Sequence, residues 1–247
     1  MITIRSIDYS HYILGLALKR NTIDSFSRYP FSIPAIAKLD EIEFHPNVTF
    51  FVGENGAGKS TLIEAIAIAS ALNPEGGSRN FTFSTQDSHS ELNKHIVLKK
   101  GIKRPKDSYF LRAESFYNVA TNIDALGVED AYGDRSLHHQ SHGEAFLSLF
   151  LNRFLGEGLY ILDEPEAALS PMKQLSLITC IHQLAAQNSQ FIIATHSPIL
   201  LSYPNACIYN IDDTGINKIV YEETEHFKTA QYFFHHYKLM LDELMKS

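Results

Sequence analysis

Cysteine is scarce in this chain of 247 residues. Cys180 and Cys207 share neither metal-ligand nor redox spacing and both have apolar neighbours, so a disulfide framework is not indicated and buried free thiols are expected. Long hydrophobic runs are lacking too. No stretch approaches the ~18 apolar residues that a membrane-spanning helix needs, and residues 12–18 lack the basic lead-in and cleavage site of a secretory signal. The protein is therefore expected to stay in the cytoplasm without inserting into a membrane. Positive charge is outnumbered, 21 Lys and Arg against 28 Asp and Glu, and a net charge of −7 argues against a surface that coats DNA generally, leaving room for a local basic patch. No heptad pattern persists between residues 62 and 140, which excludes a long coiled-coil arm. Nuclease and helix-turn-helix motifs are likewise missing.

With 45% hydrophobic and 20% charged residues, the chain has the make-up of an ordinary globular protein, long enough for one well-buried α/β core. One domain over residues 1–247 is expected, with a helical part at about 115–155 and a C-terminal helix over 224–247. The densest signal is at residues 48–62. Residues 48–52 read as a buried strand, 53–58 as a tight glycine loop and 60 onward as a helix start. Gly53, Gly58, Lys59 and Ser60 fit the P-loop pattern, in which backbone N–H groups and a helix N-terminus close around phosphate oxygens. In that pattern Lys59 reaches the β- and γ-phosphates and the Ser60 hydroxyl binds Mg²⁺.

Upstream, residues 2–5, 12–18 and 41–44 are strand-like, and 29–34 form a proline-bounded connection in which Tyr29 or Phe31 offers a ring to adenine or, more commonly for an aromatic, to the core. Residues 60–72 read as a helix ended by Asn73 and Pro74. Residues 81–85, 95–99 and 107–112 read as strands. Lys94, Lys99, Lys100, Lys103, Arg104 and Lys106 lie within 94–106, a stretch with no acidic residue in it, a pattern that fits either a nucleic-acid contact or a solvated turn.

Residues 140–144 place Ser141, Gly143 and Glu144 ahead of an apolar helix, which suits a second anion site or an ordinary capping box. Residues 159–162 form an apolar strand running into Asp163 and Glu164. One carboxylate there would serve Mg²⁺ through its waters and the other the water that attacks the γ-phosphate. After a helix over 172–186, a buried strand at 190–195 ends in His196, at the edge where open α/β sheets bind ligands.

These motifs together resemble the ABC-type ATPases over about residues 1–220. Gly53, Asn55, Gly56, Ala57, Gly58, Lys59, Ser60 and Thr61 lie in a segment similar to Walker A. Residues 140–144 resemble a divergent signature sequence, and 161–164 resemble Walker B. Residues 168–170 resemble the D-loop, and His196 the switch histidine. The run Asp163, Glu164, Pro165, Glu166 followed by Leu169, Ser170 and Pro171 is more similar to soluble members of the Rad50, RecF and overcoming-lysogenisation-defect type, including small stand-alone bacterial ATPases, than to importer subunits.

The resemblance implies an α/β fold of the P-loop NTPase, ABC ATPase type: a mixed sheet with an antiparallel β subdomain and a helical signature subdomain. It implies ATP and Mg²⁺ as cofactors, with Lys59, Glu164 and His196 catalytic and Ser60, Asp163 and the Q-loop residue at the metal. Glu114 is the preferred Q-loop residue and Gln86 its rival. It also implies a homodimer in which Ser141, Gly143 and Glu144 of one copy close over ATP held by the other. Hydrolysis would be coupled to a protein partner or to DNA maintenance or defence. The alternatives are a transporter motor subunit and a nucleotide-gated binding module with little turnover. Residues 224–245, free of Gly and Pro, carry Phe227, Ala230, Phe234, Tyr237, Leu241 and Leu244 at spacings of three and four, one helix face expected to pack on its own domain. The histidines His138, His139 and His142, like His226, His235 and His236, lack the second-shell pattern of a metal site.

Overall fold

The computed structural model describes residues 11–74, 76–78, 90–112 and 142–246. In chain order the strands are β1 (Ile13–Leu18), β2 (Glu41–Glu43), β3 (Val48–Val52), β4 (Gly77–Ser78), β5 (Ile96–Lys100), β6 (Asp107–Arg112), β7 (Gly158–Asp163), β8 (Gln190–Ala194), β9 (Cys207–Asp212) and β10 (Gly215–Ile219). The helices are α1 (Pro34–Ala37), α2 (Lys59–Ala69), α3 (Leu92–His95), α4 (His142–Asn152), α5 (Pro171–Ala186), α6 (Pro198–Leu201) and α7 (Glu225–Leu244).

Two sheets result. The smaller, ordered β2-β1-β5, is antiparallel. The larger runs β10-β9-β3-β8-β7-β6-β4, with β9, β3, β8, β7 and β6 parallel and antiparallel strands at both edges. Every residue of β3, β7 and β8 is buried, which explains why their sequences are near-continuous apolar runs instead of alternating ones. Alternation still divides their side chains between two layers. Phe50, Tyr160, Leu162 and Phe191 face α4 and α5, while Phe51, Ile161 and Ile192 face α2 and the small sheet.

A buried glutamine joins the sheets. Gln190 Oε1 accepts from the backbone N–H of Tyr12 (3.2 Å) and Ile13 (2.9 Å), and Nε2 donates to the carbonyls of Ile13 (2.8 Å) and His45 (3.1 Å). The amide's hydrogen-bonding capacity is thereby used without water. On the opposite face, aromatic rings fasten the region after α4 to β7: Phe150 lies 4.4 Å from Phe154, which stacks on Tyr160 at 4.2 Å and 7°. The Tyr160 hydroxyl donates to Asp107 Oδ2 at 3.0 Å, and Arg153 pairs with the other Asp107 oxygen at 3.1 Å.

Two expectations are corrected. Helix α2 ends at Ala69, short of residue 72, because Ala71 turns into the left-handed region (φ 63) and the Leu72 N–H folds back to the Ala67 carbonyl. Helix α7 starts as read, with the Thr224 hydroxyl capping the Phe227 N–H at 3.2 Å, but it does not lay its stripe on the domain. Phe227, Ala230 and Leu241 are only partly buried, Phe234 is 75% exposed, and Tyr237 and Leu244 are exposed as well. The backbone leaves helical geometry at His236.

Candidate active site

The carboxyl ends of β3, β8 and β7 adjoin, and the loops leaving them build one cleft. Gly53, directly after β3, has φ +148, and a Cβ there would stand 2.2 Å from the Ile211 carbonyl oxygen of β9, so no other residue can hold the loop this close to the sheet. Lys59 opens α2 and is only 4% exposed; its Nζ donates to the carbonyls of Gly53 and Glu54, both at 2.9 Å. Burial lowers the Lys59 pKa, and the nearby carboxylates of Glu164, Asp163 and Glu166 offset part of that effect. The lysine of the loop and the acidic end of β7 therefore share one electrostatic environment.

The Ser60 hydroxyl donates to Asp163 Oδ1 at 3.2 Å. Two hard oxygen donors thus converge beside the N-terminus of α2, a donor set that fits Mg²⁺. A bound metal there would neutralise phosphate charge. The other Asp163 oxygen lies 3.7 Å from Arg112 Nε, and Arg112 Nη1 pairs with Glu64 of α2 at 3.1 Å.

Glu164, the first residue beyond β7, adopts φ 52, ψ 52, a left-handed conformation uncommon outside glycine and asparagine. Its N–H donates to the Ala194 carbonyl at 2.9 Å, tying the end of β7 to the end of β8. The side chain is turned toward His196, with Oε1 3.5 Å from Nε2. Glu166, half-buried and with its pKa raised mainly by loss of solvent, accepts from the His196 backbone N–H at 2.5 Å. His196 Nδ1 meets His226 Nε2 of α7 at 3.1 Å. Beyond the histidine, Ser197 caps α6 and donates to Gln174 of α5 at 2.5 Å. A cavity of about 800 Å³ opens here, lined by Gly53, Asn55, His196, His226, Ala230 and Phe234 among others.

Asn55, Gly56, Ala57, Gly58 and Thr61 lie on the loop and first turn as read. Of the two candidate adenine-stacking rings, Phe31 is fully buried against His95 and Phe26, whereas Tyr29 is 62% exposed and places its hydroxyl 3.2 Å from Thr61 Oγ1. Gly143 and Glu144 fall in the first turn of α4. Ser141, Glu114 and Gln86 lie outside the described residues. Part of the basic stretch is paired, Lys99 with Glu41 and Lys106 with Glu157. Among the described residues no group of three or more His, Cys, Asp or Glu is placed to hold a metal, and no helix is long and apolar enough to cross a membrane.

Three residues of the cleft escaped the sequence reading as individuals. Arg112 was visible only as a strand end, although its parallel register partner is Asp163. Glu166 belonged to a noted run but had no part assigned. His226 stood out only as one of a group of histidines weighed for a metal, and nothing local marked it for the cleft, because α7 reaches the cleft through tertiary packing alone.

Comparison with known proteins agrees with this geometry. A family profile described as "AAA domain" matches residues 25–130, and one described as "AAA domain, putative AbiEii toxin, Type IV TA system" matches residues 128–202. The cytochrome c biogenesis ATP-binding export protein CcmA of Legionella pneumophila is 28% identical over 183 residues, 66% of this chain and 88% of that protein. The energy-coupling factor transporter ATP-binding protein EcfA2 of Methanospirillum hungatei is 23% identical over 199 residues, 71% of this chain and 48% of its own length. Among solved structures, cbiO1 from Clostridium perfringens aligns at TM-score 0.49 and 18% identity, covering 96% of this chain and 100% of that one. The cleft and these sequence matches together support a P-loop ATPase of the ABC type, with ATP hydrolysis as its reaction.

Proposed function

We propose that two copies of this chain close head to tail around Mg²⁺-ATP, that Glu164 activates the attacking water, and that the cycle of closure and release works on a protein partner. The observation that carries this reading is the meeting of Lys59, Ser60, Asp163, Glu164 and His196 at the ends of three adjoining strands. Lys59 exchanges its loop carbonyls for phosphate oxygens, and Ser60 and Asp163 hold the metal. Glu164 polarises water and His196 steadies the γ-phosphate or that water. A single P-loop leaves one side of the phosphate open, and Ser141, Gly143 and Glu144 at the start of the partner copy's helix would supply the missing wall.

The test is Glu164→Gln. Phosphate release is expected to fall by roughly 10²–10⁴ while ATP-dependent dimerisation persists; unchanged release removes Glu164 from the mechanism. A protein partner is favoured by the exposed aromatic face of α7. A second reading, the ATP-binding subunit of a transporter, is favoured by relatives described as export and transporter ATP-binding proteins, and co-purification with a membrane protein from the native cell decides it. Coupling to DNA maintenance or defence rests on residues 94–106 and on the toxin–antitoxin description of one matching family. Salt-dependent DNA binding in the presence of ATP is its test, and no such binding removes it.

A further inference from the structure

We propose that His226 is a positioning residue for His196: its Nε2–H donates to His196 Nδ1, fixing His196 as the tautomer whose Nε2–H faces Glu164 and the phosphate side of the cleft. The proposal rests on the reading of His196 as a cleft residue, and it assigns α7 a part in the reaction.

The surroundings of the two rings favour one proton arrangement. The two ring nitrogens stand 3.1 Å apart, so one donates and the other accepts. His196 Nε2 makes no hydrogen bond among the described residues, and it stands 3.5 Å from the Glu164 carboxylate, an acceptor. An Nε2 lone pair there would oppose that carboxylate and any phosphate oxygen, so Nε2 carries the proton and Nδ1 receives one. The donor is then His226 Nε2–H. His226 Nδ1 keeps a lone pair, and this buried nitrogen has no hydrogen-bond partner among the described residues. A neutral His226 suits its setting: burial, then His196, then Lys59 lower its pKa, against a smaller opposing pull from Glu225. The backbone of His196 is held independently by Glu166. Its ring orientation therefore depends on α7, whose first turns line the same cavity as the phosphate loop.

The decisive measurement is histidine ¹⁵N–¹H correlation NMR on the full chain without nucleotide, with His196 assigned through a His196→Asn variant. His196 is expected to show a protonated Nε2 and an unprotonated Nδ1; the reverse pattern overturns the proposal whatever Glu164 proves to do. In His226→Phe the His196 signals should move toward a tautomer mixture, and kcat should fall by about ten-fold with KM for ATP unchanged, a typical loss for an outer partner that orients a site residue. His226→Gln, whose amide can still donate, should recover part of that rate. A wild-type kcat in His226→Phe, or a His226→Gln rate no better than that of His226→Phe, overturns the proposal. Because the tautomer is read without turnover, failure of the Glu164→Gln test and failure of this one are separate results.

Discussion

Gln190 opens a strand that is otherwise apolar, and its amide meets four backbone groups of other segments in a fully buried position. Replacing it with leucine keeps bulk but strands those N–H and C=O groups, so Gln190→Leu is expected to cost about 3–5 kcal/mol in urea unfolding; a loss under about 1 kcal/mol would mean that water replaces the amide. Such residues explain the limits of reading a site from sequence. Lys59, Ser60, Asp163 and Glu164 were legible because each sits at a fixed offset from a strand end or a glycine loop. Arg112, His226 and the partners of Gln190 were not, because contacts across 177 positions, as between Ile13 and Gln190, leave no local pattern.

At the scale of elements, the strands β3, β6, β7 and β8 and the helix α5 emerged from the sequence nearly to the residue, since strands buried along most of their length read as near-continuous apolar runs and a serine–proline pair starts a helix cleanly. The placement of α7 did not, because an amphipathic stripe states that a face wants cover without stating whose. Two substitutions check the packing. Phe154→Ala, which empties the stack between Phe150 and Tyr160, is expected to cost about 3–5 kcal/mol. Phe234→Ser, on the exposed face of α7, is expected to change stability by less than about 0.5 kcal/mol. A large loss from Phe234→Ser would show that the helix packs on the domain after all.

For the whole molecule, histidines set the response to acid. His45 Nδ1 accepts from the backbone N–H of Asn47 (3.1 Å) and Val48 (3.3 Å), at the start of the phosphate-loop strand, and so requires a neutral ring with its proton on Nε2. Burial first, then His11 and Lys218, lower its pKa, and His226 is lowered as well. When the folded pKa lies below the unfolded value of about 6.5, the unfolded chain takes up the proton first. The stability these groups contribute is complete above that value and drains away as pH falls toward the folded pKa. Glu166 has the opposite sign: its raised pKa contributes stability at low pH that is lost as pH rises through the folded value. The urea midpoint is therefore expected to drop between pH 7.5 and 5.5, and His45→Asn should flatten that drop; an equally steep profile in the variant would assign the acid response elsewhere.

The amide shared by the two sheets bears on how the molecule can move. Sliding one sheet over the other would break four hydrogen bonds at once, so the sheets are expected to travel as a single rigid block through the ATP cycle. Any stroke then falls to the helical side and to α7. Spectroscopic labels placed one on each sheet should keep a constant separation while labels on α7 report the motion.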